Sequence, residues 1–172
     1  RHLAATLEGR ATQSAKEERQ VVLFEIARLR ESLGQKPLAF AAMLRCFRDE
    51  PHDASIREEL ERLAAETGAF EELAAAFEDE LEHEKDEEVQ LDLFRRLGAI
   101  YGERLGEPQR AAAAWEEVYR RAPGDATVLE TLSRIYRRTN ALRELVAVLW
   151  RQVATTTEPG RRRELLVELA QL

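Results

Sequence analysis

The residues best suited to chemistry in this 172-residue chain are three histidines, one cysteine and a run of carboxylates, and their spacing does not gather them. His83-Glu84 opens like a zinc-protease helix, which needs a second His four residues on, but position 87 is Glu87. With that pair broken, His83 reads as a solvated helix end. His52 lies in Pro51-His52-Asp53, where a polar turn residue is ordinary. Cys46 stands alone, so no intrachain disulfide and no cysteine cluster for a metal can form. It falls on the inward face of a helix and reads as a buried, inert thiol. There is no glycine-rich or lysine-bearing phosphate loop. The stretch from Glu78 to Glu88 offers carboxylates at helical spacing. Calcium also needs carbonyl ligands and a turning loop, which a continuous helix withholds, so the run reads as a solvated face. The expectation is therefore no enzyme: no catalytic residue, no cofactor and no metal ligand.

Charge narrows the partners. There are 26 Lys+Arg against 33 Asp+Glu, a formal net charge of −7, which argues against a nucleic-acid footprint. Only three of the cations are lysines: Lys16, Lys36 and Lys85. Two basic groups stand out. Arg134, Arg137 and Arg138 fall within one helical turn, and Arg161-Arg162-Arg163 falls where a helix should begin. Cations there oppose the helix macrodipole, so the second group does not serve helix stability. No apolar run approaches the roughly 20 residues of a membrane span. There is no signal peptide in these residues; the start at Arg1 instead of Met leaves a removed leader open, and cytoplasmic is the default expectation.

The elements that must carry these residues are set by a repeat. Residues 31–93 match residues 103–165 at a fixed offset of 72 without a gap, with nineteen of sixty-three positions identical. Glu31/Glu103, Gly34/Gly106, Ala39/Ala111, Pro51/Pro123, Asp53/Asp125, Leu60/Leu132, Arg62/Arg134 and Leu73/Leu145 are among the pairs. Fixed-period self-similarity marks a solenoid, in which each unit buries its apolar face by stacking on its neighbours. Helical spacing and Gly, Asn and Pro punctuation divide each period into two helix pairs. They span 20–53, 54–90, 91–125 and 126–162, with partial units at 1–19 and 163–172. Gly34, Gly68, Gly106 and Asn140 are placed to end first helices in the left-handed conformation. Pro51 and Pro123 stop second helices, and Asp53 and Asp125 are placed to cap the next ones. The units at 54–90 and 126–162 lack a closing Pro and run long, so their second helices extend or their exits loosen. Met43, Phe77, Trp115 and Leu149 should fill the gap toward the next unit.

At these residues the chain resembles the tetratricopeptide repeat (TPR) family. That family's 34-residue unit carries an aromatic, Leu-Gly and Tyr on its first helix, then a turn Gly, Ala-x3-aromatic on the second helix and a closing Pro. The best match is Phe94-x2-Leu97-Gly98-x2-Tyr101 followed by Ala111-x3-Trp115-x2-Val118-x4-Pro123, with one extra residue before Gly106. The first unit keeps the spacing but has Arg30 in place of the Tyr. The resemblance implies an all-α, right-handed superhelical α-solenoid of antiparallel helix pairs, about ten helices in all. Residues 1–15 would then be the second helix of a preceding unit, and 163–172 the start of a fifth. Leu165, Leu166, Val167, Leu169 and Leu172 would leave an apolar surface, as in a piece of a longer array or a chain covered by another copy.

The resemblance also implies a concave groove lined by first helices. By position it would present Arg28 and Glu31, then Glu58, Arg62 and Glu66, then Arg95, Arg96 and Glu103, and finally Glu130, Arg134, Arg137 and Arg138. The Lys/Asn carboxylate clamp of the family's chaperone-binding members is absent from these positions. Arginine forks could still take a carboxylate or phosphate bidentately. The leading expectation is a protein–protein interaction scaffold holding an acidic or mixed-charge partner segment, with no nucleic acid and no membrane insertion. The alternatives are a homo-oligomer stacked through solenoid ends and a regulatory repeat domain of a larger enzyme or signalling protein.

Overall fold

The computed structural model of the protein describes residues 6–7 and 16–172. All regular structure among them is helical: α1 (Lys16–Ser32), α2 (Lys36–Asp49), α3 (Ala54–Thr67), α4 (Phe70–Leu81), α5 (Glu87–Ala99), α6 (Pro108–Arg121), α7 (Ala126–Thr139), α8 (Leu142–Thr155) and α9 (Pro159–Gln171). A π-helical segment, Ile100–Leu105, continues α5. The helices form two compact units, one ending at Glu84 and the other beginning at Lys85. The partial helix expected over residues 1–15 lies outside the described residues, apart from helical Thr6 and the buried Leu7.

The punctuation works as its chemistry demands. Gly34, Gly68 and Gly106 take φ of +71°, +76° and +69°, and Asn140, the one other residue type at such a turn, takes +54°. A left-handed residue lets the chain reverse while its neighbours bond the last open carbonyls of the helix. Gln35 N–H donates to the Arg30 carbonyl at 2.8 Å, and Ala141 N–H to that of Tyr136 at 3.0 Å. Asp53 accepts from the Ser55 amide at 2.8 Å and the Ser55 hydroxyl at 2.7 Å. Seventy-two residues later Asp125 accepts from the Thr127 amide at 3.1 Å and its hydroxyl at 2.6 Å. Such a cap satisfies amides that the first helical turn leaves open.

Each unit has its own core. In the first, Leu23, Met43, Cys46, Leu60, Leu63, Leu73 and Phe77 are fully enclosed, and the Phe47 and Phe77 rings meet edge to face at 5.3 Å. In the second, Leu93, Ala111, Val118, Leu132 and Leu149 are enclosed likewise. Alanine at 39 and 111, both at 0% exposure, lets paired helices approach closely. Trp115 departs from the expected filling role. Met43, Phe77 and Leu149 are sealed off, whereas the Trp115 indole is only half-buried.

Two further expectations meet the structure differently. The long units loosen at their exits instead of extending: α4 stops at Leu81 and α8 at Thr155, each followed by non-helical residues. The acidic stretch is consequently not a continuous helix. It breaks after Leu81, and Asp86 caps α5 by accepting from the Glu88 and Val89 amides at 2.9 and 3.4 Å. The break turns Glu84 inward, its side chain only 6% exposed, with His52 Nε2 2.8 Å from its Oε2. His52 thus has a specific partner that a free turn residue would lack.

The π segment explains where the repeat register begins. After Glu31/Glu103 the offset of 72 holds, but before it the buried positions agree one residue out of step. Val22, Ile26 and Ala27 correspond to Leu93, Leu97 and Gly98. The extra residue is absorbed by a wider helical turn, closed by Glu107 N–H donating to the Tyr101 carbonyl at 2.8 Å. Such insertions of one residue into a helix are how π turns arise, and they recur at functional sites.

Candidate functional site

The expected groove residues fall on first helices, but they are not equally available. In the first unit the α1 and α3 positions close on one another. Arg62 lies 3.0 Å from Glu31, 2.6 Å from Glu59 and 2.7 Å from Glu66. Lys36 Nζ is 3.0 Å from the second oxygen of Glu66. The hydrogen bonds to Glu59 and then Glu31 push the Arg62 pKa further up, and Lys36 above all holds Glu66 below its ordinary value. One guanidinium is thereby surrounded by three carboxylates of its own chain. Arg28 and Glu58 are exposed on α1 and α3.

In the second unit three of the expected residues, Arg95, Arg96 and Arg137, are paired within the scaffold. Arg95 is 3.0 Å from Asp125, the cap of α7. Arg137 takes both oxygens of Glu168 on α9, at 2.7 and 2.9 Å. Arg161, from the triplet at the start of α9, pairs locally with Glu164 at 3.0 Å. Arg96 pairs along its own helix with Asp92 at 2.7 Å.

Glu103, Arg134 and Arg138 are placed otherwise. They line a cavity of about 660 Å³ together with Gly98, Ala99, Gly102, Trp115, Thr131 and Ile135. Its walls are the end of α5 and the π segment on one side, α7 on the other and the Trp115 indole of α6. None of Glu103, Arg134 and Arg138 has an ion pair or hydrogen bond to another side chain among the described residues. Gly98 brings the indole in: a Cβ built there would lie 2.6 Å from Trp115 Cε2 and Nε1. The indole N–H meets no acceptor among the described residues.

Trp115, Gly98, Gly102 and Thr131 were not among the expected site residues. The signal that marks them lies in the differences between the two halves of the repeat. Thr131 stands where the first half has Glu59, Arg138 where it has Glu66, and Trp115 where it has Met43.

Other chemical groups are accounted for by packing. Burial first, and then Asp49, push the Cys46 thiol up to about 12, so it is not a thiolate nucleophile at neutral pH. Burial and Glu116 push the Tyr136 hydroxyl up to about 12, and Glu116 is held in turn by Arg151 at 2.9 Å. Among the described residues no three His, Cys, Asp or Glu side chains gather as a metal site. Nor is any helix among them long and apolar enough to cross a membrane.

Neither a protein-family model nor a curated protein sequence matches the chain. Solved structures do. A crystal structure of MamA superposes with a TM-score of 0.54 at 14% identity, covering 88% of this chain and 85% of that one. The PilF structure of Pseudomonas aeruginosa gives 0.51 at 14% identity, covering 98% and 81%. A tetratricopeptide repeat protein from Parabacteroides merdae gives 0.52 at 16% identity, covering 87% of this chain and 58% of that one. The fold is therefore a TPR-like all-α helical repeat.

Proposed function

We propose that the chain is a protein-interaction scaffold whose first helices hold a segment of a partner protein. The observation that supports this best is the cavity of the second unit. It opens between two successive first helices, α5 and α7, where a repeat solenoid presents its binding face. The core of each unit is consumed in packing helix against helix, so recognition falls to exposed side chains on that face. Arg28, Glu31, Glu58 and Arg62 belong to the stretch in the first unit, and Arg95, Glu103, Arg134, Arg137 and Arg138 to that in the second. Within the second set, the availability of Arg134 and Arg138 makes them the binding pair, while Arg95 and Arg137 position helices.

The test is selection of peptides from a random display library on the immobilised chain, followed by binding to Arg134→Glu/Arg138→Glu. Selected peptides should bind the double variant far more weakly while its helicity by circular dichroism stays unchanged. Undiminished binding would move the site off this face.

A second reading is self-association. Leu166 and Val167 on α9 and Leu172 just after it are 41%, 52% and 48% exposed, and neighbouring apolar side chains of this kind often mark contact surfaces. Light scattering over a wide concentration range tests it: a rising mass that Val167→Glu abolishes supports assembly, and a constant monomer mass ends it.

A further inference from the structure

The repeat carries its own control for the cavity of the second unit, because the same helical frame appears closed in the first unit. Around Arg62 the chain supplies carboxylates from its own α3, Glu59 and Glu66, with Glu31 from α1 completing the shell. Arg134 occupies the corresponding place on α7, but the flanking positions have become Thr131 and Arg138. Two carboxylates are gone and a second guanidinium has arrived. The remaining wall carboxylate, Glu103, follows the wide π turn and does not pair with Arg134 as Glu31 pairs with Arg62. On the opposite wall, Arg28 is replaced by Ala99, and Gly102 in the π segment adds no side chain. Space and positive charge therefore appear together, at about 660 Å³, within the usual range of ligand sites of roughly 300–1,000 Å³.

We propose that this cavity binds an acidic peptide segment whose carboxylates take the places around Arg134 that Glu59 and Glu66 hold around Arg62. This rests on the scaffold reading and names the ligand for one site within it. Arg134 and Arg138 stand one helical turn apart, about 6 Å along the axis. Alternate side chains of an extended chain repeat at about 6.6 Å on one face, so a Glu-x-Glu segment offers two carboxylates at matching spacing. Each guanidinium can receive one carboxylate as a fork, with shorter and stronger hydrogen bonds than neutral groups make. The half-buried Trp115 indole offers a flat apolar surface and an unused N–H to the rest of the segment. Glu103 limits the charge the site accepts on its π-segment side, which favours a segment with carboxylates on one edge only.

The test uses the full chain and three pools of capped heptapeptides centred on Glu-x-Glu, Gln-x-Gln or Lys-x-Lys. The readouts are the ¹H–¹⁵N signal of the Trp115 indole, assigned through Trp150→Phe, and the backbone amide signals of the first helices. The Glu-x-Glu pool should shift this signal at concentrations on the order of 1 mM or below. Affinity should fall at least roughly tenfold in Arg134→Gln, since a buried or oriented charge pair is lost. It should fall as far in Thr131→Glu/Arg138→Glu, which restores the carboxylates of the first unit around Arg134. Circular dichroism checks that both variants remain helical, and the single Gln variant stands if the double one does not fold. A Trp115 signal unmoved by the Glu-x-Glu pool, or an affinity in the variants equal to that of the unaltered chain, overturns the site. In that event, shifts from another pool on first-helix residues leave the scaffold reading standing. Silence from all three pools removes that reading as well.

Discussion

Asp53 and Asp125 do the same work seventy-two residues apart, and each is held below the ordinary carboxylate value. The side-chain hydrogen bond from Ser55 is the largest cause at Asp53, and that from Thr127 at Asp125. A depressed folded pKa means that the stabilisation is complete above about pH 4 and drains away as pH falls through the folded values. Glu80 runs the other way. Burial and then Glu84 raise its pKa, so its contribution is present at low pH and lost as pH rises through the raised value. Asp53→Ala and Asp125→Ala should each cost about 1 kcal/mol in urea unfolding followed by circular dichroism, and the loss should vanish in acid. At Gly98 the steric margin is narrower. Gly98→Ala places a methyl where the Trp115 ring lies, so the ring must swing out, at a cost of about 1–3 kcal/mol. In a Trp150→Phe background the Trp115 emission should then shift to the red; unchanged emission would mean that the ring finds another seat. Cys46, at 0% exposure, should resist thiol reagents until the first unit unfolds, so its labelling rate reports that event.

At the scale of elements, what the sequence made legible was whatever repeats. Helix pairs, chain reversals at Gly34, Gly68, Gly106 and Asn140, and caps at Asp53 and Asp125 depend on local backbone chemistry, and each left a residue type at a fixed register. Pairing between helices was not legible, since it depends on which long side chain reaches which. Arg137 looked like a groove cation beside Arg134 and Arg138, but only the structure shows it clasping Glu168. Truncating it to Ala should cost at most about 1 kcal/mol, the ordinary value of an exposed ion pair. That loss would be local, and the α9 amides should exchange severalfold faster while those of α7 keep their rate. Uniform change across the second unit would mean that α9 does not open separately. The acidic stretch misled for a related reason: helical composition continues through residues 82–86, while one helix ends at Leu81 and Asp86 caps the start of the next.

For the molecule as a whole, the two halves use one plan for opposite ends. Identities between them marked the fold, and the departures from identity marked the candidate site. Comparison by likeness was bound to miss Thr131 and Arg138, because each is informative only as the absence of a glutamate. The charge asymmetry gives a measurement of its own. The first-unit cluster is internally compensated, so Arg62→Gln should lower stability, whereas Arg134→Gln removes no partnered charge and should leave the urea midpoint nearly unchanged. Equal losses at the two positions would show that Arg134 is engaged within its own chain after all.

The π segment also bears on how such chains tolerate insertions and deletions. Because one wide turn absorbs the extra residue between Tyr101 and Gly106, removing Gly102 would let the segment tighten to an ordinary α turn. The reversal at Gly106 and the whole downstream repeat would keep their register. The mouth of the cavity would narrow, however, and Glu103 would swing toward the place that Glu31 holds in the first unit. A lesion one codon long could thus silence recognition while leaving the fold intact, which makes chain length at this turn as much a functional variable as any side chain.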